Sequence, residues 1–198
     1  MMSENLFYLS KFDFEKFLKL LPNKKNKILD FGCGNGIYNK SYSKKHKISK
    51  IYMYDKNKSL KKFIIKKYVN NSLFQWVNNL NFKYNIVLIN SVAQYMDLIA
   101  LRKNINFFFQ VKDVDKVIIS DIPKYNRLIE GFLLIFLNPL KLVKSISYLF
   151  NTKYLNEKYN HKNVKILKQV FCNYKIKIYL NLNDDKMLRY TAILQKKI

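Results

Sequence analysis

Two carboxylates and three glycines stand where together they could hold a nucleotide-like ligand. Residues 28–36 read Ile28-Leu29-Asp30-Phe31-Gly32-Cys33-Gly34-Asn35-Gly36. A short apolar run ends in an acid, and glycine then recurs at every second position. Glycine is used where the backbone must take positive φ or come close to another group. A helix after such a loop points its unpaired N–H groups back toward a ligand. Nineteen positions after Gly36 a second acid, Asp55, closes another apolar run, Ile51-Tyr52-Met53-Tyr54. A carboxylate at the end of a second strand can accept both hydroxyls of a ribose. The combination predicts a nucleotide-like cofactor at the carboxyl ends of the first two strands of a sheet.

The elements that must carry these residues can be traced along the chain. Phe14, Phe17, Leu18 and Leu21 recur at i, i+3, i+4 and i+7, which predicts an amphipathic helix within residues 1–22, ended by Pro22. Strands are expected at 27–31, 51–54, 73–77, 85–89 and 116–120. A helix is expected from Tyr38 to about Lys45. Another starts at Ser59 with Leu60, Phe63 and Ile64 inward, and a third covers 98–109. A helix over 163–171 precedes two alternating strands, 174–180 and 188–195, joined as a hairpin by the polar run 181–186. Strands alternating with helices imply a parallel sheet covered on both faces, here with an antiparallel edge. No internal repeat and no Gly/Pro/Ser-rich linker divides the 198 residues, so one α/β domain is expected.

Glycine spacing separates two cofactor classes. A dinucleotide fingerprint is G-x-G-x-x-G; here the third glycine comes one residue early. The stretch Ile28–Gly36 resembles the first motif of the class I S-adenosylmethionine-dependent methyltransferases, apolar-apolar-Asp/Glu-apolar-Gly-x-Gly-x-Gly, at every position. Ile51–Asp55 is similar to the family's second strand with its acid, 84–95 to its fourth strand and following turn, and 117–121 to its fifth. The resemblance covers residues 24–123, and the terminal hairpin fits the family's last two strands. It implies a Rossmann-like seven-stranded sheet of order 3-2-1-4-5-7-6, and S-adenosylmethionine as cofactor. It also implies that Asp30 faces the methionine amino group, that Gly32, Cys33, Gly34 and Gly36 form the loop beside the methionine part, that Asp55 binds the ribose, and that Asn90 and Ser91 lie on the sulfonium side. One departure stands out: the family often places an acid after strand three for the adenine, and this chain offers only Asn78.

Methyl transfer asks mainly for alignment of acceptor, methyl and sulfur, and a hydroxyl or amine acceptor also calls for a base. Four residues are candidates: Gln94 and Tyr95 just past strand four, Asp121 at the end of strand five, and His161 in the polar run 159–162. Each also has a plainer reading. Asp121 suits a strand end or helix cap, and His161, like His46, suits a solvated loop. Between Asp121 and the hairpin, residues 124–160 exceed what one crossover helix needs. Leu128, Ile129, Phe132, Leu133, Phe136 and Leu137 form one apolar face, and Leu142, Val143, Ile146, Leu149 and Phe150 another. In the family such additions form an acceptor lid; a sheet-covering helix pair fits the same pattern. A lysine-edged segment lying on anionic lipid, across 128–150, is a further reading.

The net charge of +24 invites a nucleic-acid partner. Nearly all of it is lysine, with Arg102, Arg127 and Arg189 the only arginines. Arginine is the residue of bidentate phosphate and base contacts. The Lys/Asn/Ile/Tyr/Phe-rich composition reads as A/T-rich genome drift. A small-molecule or glycan acceptor, such as a sugar nucleotide or lipid-linked sugar, is therefore preferred. An RNA methyltransferase and a non-catalytic module on the same fold are the alternatives. Asn90-Ser91-Val92-Ala93 also departs from the Asn/Asp-Pro-Pro-aromatic turn of enzymes that methylate exocyclic base amines. Cys33 and Cys172 make no disulfide framework. Cys33 fits the glycine loop and Cys172 is expected in the core. No zinc-type spacing of Cys and His is present. With no apolar leader and no bilayer-length apolar run, a cytoplasmic location is expected.

Overall fold

The computed structural model describes residues 14–36, 47–111, 114–123, 164–180 and 189–197. Seven strands form one sheet: β1 (Asn26–Phe31), β2 (Ile48–Tyr54), β3 (Phe74–Trp76), β4 (Ile86–Asn90), β5 (Lys116–Pro123), β6 (Tyr174–Leu180) and β7 (Arg189–Lys196). Their order is β3-β2-β1-β4-β5-β7-β6. The first five neighbours pair in parallel, and β7 runs antiparallel to both β5 and β6. The expected order is thus observed. The predicted helix over 38–45, His46, the segment 124–160, His161 and the hairpin turn lie outside the described residues.

The central strands are apolar almost throughout because both faces are covered. Ile86, Val87, Leu88 and Ile89 are fully buried, as are Val117, Ile118 and Ile119. Side chains alternate between faces. On one face Ile28, Ile86, Leu88 and Ile118 join Phe17 and Leu21 of α1 (Phe14–Leu20) and its end, and Ile64 and Tyr68 of α2 (Leu60–Tyr68). On the other, Leu29, Val87, Ile89 and Val117 pack with Leu101 and Ile105 of α3 (Leu98–Asn106), and with Leu167 of α4 (Val164–Val170). A π-helical turn, Phe107–Val111, continues α3 and places Phe108 and Phe109 in that second core.

The amino ends of the strands are tied by amides. Asn26 Nδ2 donates to the carbonyls of Pro22, Lys24 and Lys47, and Asn85 Nδ2 donates to Asn26 Oδ1 and Asp115 Oδ2. This leaves the carboxyl ends to the turns that carry the glycine loop, Asp55, Asn90 and Asp121. Two expectations need correction. Phe63 is 42% exposed, because the inner line of α2 runs through Ile64 and Tyr68; Tyr68 stacks on Phe74 and Phe63 is turned outward beside Lys67. Cys172 is exposed, because Phe171 takes the core position at the end of α4 and the next residue turns away.

Candidate functional site

The glycine loop leaves β1 and is fastened to the end of β2. The backbone N–H groups of Gly32 and Cys33 both donate to the carbonyl of Tyr54, at 2.8 and 3.0 Å. Gly34 N–H donates to Asp55 Oδ2 at 2.9 Å, while Asn57 N–H donates to Asp55 Oδ1 at 2.8 Å. From α2, Lys67 Nζ donates to the carbonyls of Asn35 and Gly36. The two acids that the sequence places 25 residues apart therefore converge at the tips of adjacent strands. Both act electrostatically on the thiol of Cys33 between them. Asp30 is 1% exposed, whereas Asp55 is only partly covered.

All three loop glycines have positive φ, and two of them show different uses of the missing side chain. At Gly32 (φ +80°) a Cβ would stand 2.5 Å from Cγ2 of Val92, so the close approach of β1 and the turn after β4 forbids one. At Gly34 (φ +51°) a Cβ would meet no described residue within 4 Å. Among the described residues that position is open, a cradle that a side chain would fill without meeting them. Gly36 is backed by Tyr68 and Met53.

Cys33 is buried, and burial pushes its pKa well above the ordinary 9.0, with the Asp30 and Asp55 carboxylates adding to the rise. Burial favours the neutral thiol, and the thiolate is the reactive form, so its packing works against reaction near neutrality. Its neutral-form contribution to stability is fully present below pH 9.0 and is lost as pH climbs through the raised pKa of the folded protein. Iodoacetamide at pH 8 is accordingly expected to label exposed Cys172 and to spare Cys33 until denaturant is added. Peptide mass spectrometry reads the difference, and equal labelling of the two in the native protein would contradict the packing of the loop.

A second cluster lies at the tips of β4, β5 and β7. Asn90 ends β4, and its Nδ2 donates to Ser91 Oγ at 3.3 Å. Ser91 Oγ donates to Asp121 Oδ2 at 2.6 Å. The Arg189 guanidinium pairs with the same Oδ2 at 2.9 Å and also donates to Gln94 Oε1 at 3.1 Å. Gln94 Nε2 in turn donates to the Ser91 carbonyl at 3.0 Å. Ser91 and Asp121 both sit in the left-handed region, at φ 58° and 61°, where a residue other than glycine is uncommon. Asp121, Arg189 and Gln94 are each more than nine-tenths buried.

The candidate residues thus fall into groups. Asp30, Gly32, Cys33, Gly34, Gly36 and Asp55 form one continuous turn system. Asn90, Ser91, Gln94 and Asp121 form another, bridged to the first where Val92 covers Gly32. Tyr95 stands half exposed on a 3-10 turn, Ala93–Tyr95. Asn78 is exposed after β3, and its Oδ1 accepts from Trp76 Nε1 at 3.1 Å. Sequence reasoning missed Arg189, which it met only as one of three arginines. Its place at the start of the last strand, in a chain with three arginines, was the one available signal. A groove of about 600 Å³ lined by Arg102, Asn106, Tyr174 and Lys196 lies at the opposite, amino-terminal edge of the parallel strands. Among the described residues no group of three His, Cys, Asp or Glu side chains is placed to hold a metal, and no helix is long and apolar enough to cross a membrane.

No family model and no curated protein matches the sequence. Solved structures do match the fold. Magnesium protoporphyrin IX methyltransferase from Synechocystis PCC 6803, with bound SAM, aligns over 88% of this chain and 71% of its own, at 11% identity and a TM-score of 0.58. A SAM-dependent methyltransferase from Methanosarcina mazei aligns over 92% and 97%, at 14% identity and a TM-score of 0.60. The small RNA methyltransferase HEN1 aligns over 93% of this chain but 25% of its own, at 13% identity and a TM-score of 0.61. With this strand order, and with the glycine loop and the second-strand acid at the carboxyl edge of the sheet, the chain has the fold of the class I S-adenosylmethionine-dependent methyltransferases.

Proposed function

We propose that this protein is a methyltransferase that uses S-adenosylmethionine and acts on a small molecule or glycan. The observation that carries the reading is the cradle at Gly34, open among the described residues and bordered by Asp55, beside a second turn that offers Asn90. The donor set fits the cofactor. Asp30 would hold the methionine amino group by a charge-assisted bond, and Asp55 would take the ribose hydroxyls. The Gly32–Gly36 loop, Cys33 included, would let backbone approach the methionine part. Asn78 would keep its Nδ2 for the adenine, its Oδ1 being used by Trp76. When bound, the sulfonium supplies an already activated methyl group. The chain's task is then to align the acceptor and exclude water. Asp121 suits positioning better than proton transfer, because its Oδ2 already accepts from Ser91 and Arg189. Of the other candidate bases, Gln94 cannot accept a proton near neutrality, which leaves Tyr95 and His161. On this reading segment 124–160 would serve as the acceptor lid, and the cytoplasm would be the location.

Calorimetry with S-adenosylmethionine and S-adenosylhomocysteine tests the reading. Gly34→Ala is expected to leave the melting temperature within a few degrees, since the left-handed penalty is about 1–2 kcal/mol, and to weaken both ligands at least tenfold. Absence of binding by the unaltered protein would leave only a scaffold role.

A second reading, methylation of RNA, is favoured by the charge of +24 and by the likeness to a small RNA methyltransferase. It requires RNA affinity that falls steeply with salt. A shallow slope, or equal affinity for any polyanion, would count against it. Peripheral contact with anionic membrane through 128–150 would show as flotation with liposomes.

A further inference from the structure

We propose that Arg189 is a positioning residue of the methyl-transfer site, acting through Asp121, Gln94 and Ser91 to orient Asn90. The proposal rests on the methyltransferase reading and assigns work within that site to the last strand of the sheet.

Two non-glycine residues in the left-handed region stand at the tips of adjacent strands β4 and β5 and are bonded to each other. Such conformations persist only where the surroundings over-determine them. Here one guanidinium bears on both, on Ser91 through Gln94, alongside the Ser91–Asp121 bond and the bond from Ser91 N–H to the Ser120 carbonyl. Arg189 enters from β7, which pairs antiparallel with β5 across a register shift between Ile119 and Ile122. One of its nitrogens reaches Asp121 Oδ2, Gln94 Oε1 and, at 3.4 Å, the Asp121 carbonyl. Gln94 then holds the Ser91 carbonyl. Both bends are therefore gripped from a single point.

The grip decides which way an amide faces. Ser91 spends its hydroxyl proton on Asp121, so toward Asn90 its Oγ can only accept. Asn90 must present Nδ2 to it, as observed. Its Oδ1 is thereby turned away from Ser91; it is buried, with no hydrogen-bond partner among the described residues. A buried carbonyl oxygen fixed at the end of β4 is a preorganised partial negative charge, suited to a methyl group on a cationic sulfur. The effect of Arg189 runs through this chain of bonds.

S-adenosylmethionine and S-adenosylhomocysteine differ only in the methyl and its charge, so the ratio of their affinities reads this corner of the site. Arg189→Lys keeps a cation on a shorter stem that draws it back from Asp121 and Gln94, and Gln94→Met cuts one link while leaving the ion pair intact. Calorimetry on both variants is expected to show the preference for S-adenosylmethionine shifting against it at least fivefold, with the S-adenosylhomocysteine affinity within twofold of the unaltered protein. An unchanged ratio in both folded variants would overturn the proposal. So would equal weakening of the two ligands in step with a lower melting temperature, the mark of a fold brace alone. Binding of neither ligand by the unaltered protein would instead remove the methyltransferase reading, and this proposal with it.

Discussion

Asp55→Ala is expected to lower affinity for S-adenosylmethionine about a hundredfold. On the proposed function Asp55 would have two duties at once. Its two oxygens accept from the N–H groups of Gly34 and Asn57, which fixes the glycine loop against β2, and their remaining lone pairs would serve the ribose hydroxyls. A hydrogen bond to a charged group contributes about 1.5–3 kcal/mol. Loss of the ribose contact together with loosening of the loop comes to about 3 kcal/mol, or two powers of ten in affinity. Asp55→Asn keeps one acceptor oxygen and is expected to lose about tenfold. Titration calorimetry on both variants, with circular dichroism to verify the fold, checks the order. An alanine variant that binds within threefold of the unaltered protein would remove Asp55 from the site.

The parts of this architecture that sequence reveals are those whose physical cause is local. Ile86–Ile89 reads as a buried parallel strand because both of its faces are covered and every residue can be apolar. The glycine loop is legible because backbone conformation and close approach leave few residue choices, and Asp55 because it ends the next strand of the same unit. Sidedness of a short helix is less legible: Phe63 and Ile64 are equally apolar, and only the packing of Tyr68 against Phe74 decides which turns inward. The Arg189 cluster is least legible. Arg189 and Asp121 are 68 residues apart, and they meet only because β7 docks antiparallel on β5 with Pro123 opposite Arg189. No local pattern encodes that register. The same point separates the two halves of the site. The residues of β1, its glycine loop and the end of β2 are visible in advance, as are Asn90, Ser91, Gln94 and Asp121; the Arg189 contacts that join the latter across strands are visible only once folded.

That cross-strand half also bears the largest expected effect on stability. Arg189→Met removes the cation from a carboxylate that remains more than nine-tenths buried. Breaking a buried ion pair from one side costs about 3–5 kcal/mol, because the surviving charge is stranded away from water. Removing both charges is far cheaper, since the desolvation cost of each ion disappears with the attraction. The double variant Arg189→Met with Asp121→Asn should therefore regain most of the loss, the asparagine still accepting from Ser91. Urea unfolding of the single and double variants gives the cycle directly. The expected coupling is at least 2 kcal/mol, large for a contact between two residues. Additive losses would mean that Asp121 is held by its other neighbours and that the guanidinium is incidental. A large coupling would place a buried charge pair, with two left-handed bends leaning on it, at the carboxyl edge of the sheet. Natural folds tolerate such costs where geometry at a ligand must be held fixed, and here the residue held is Asn90.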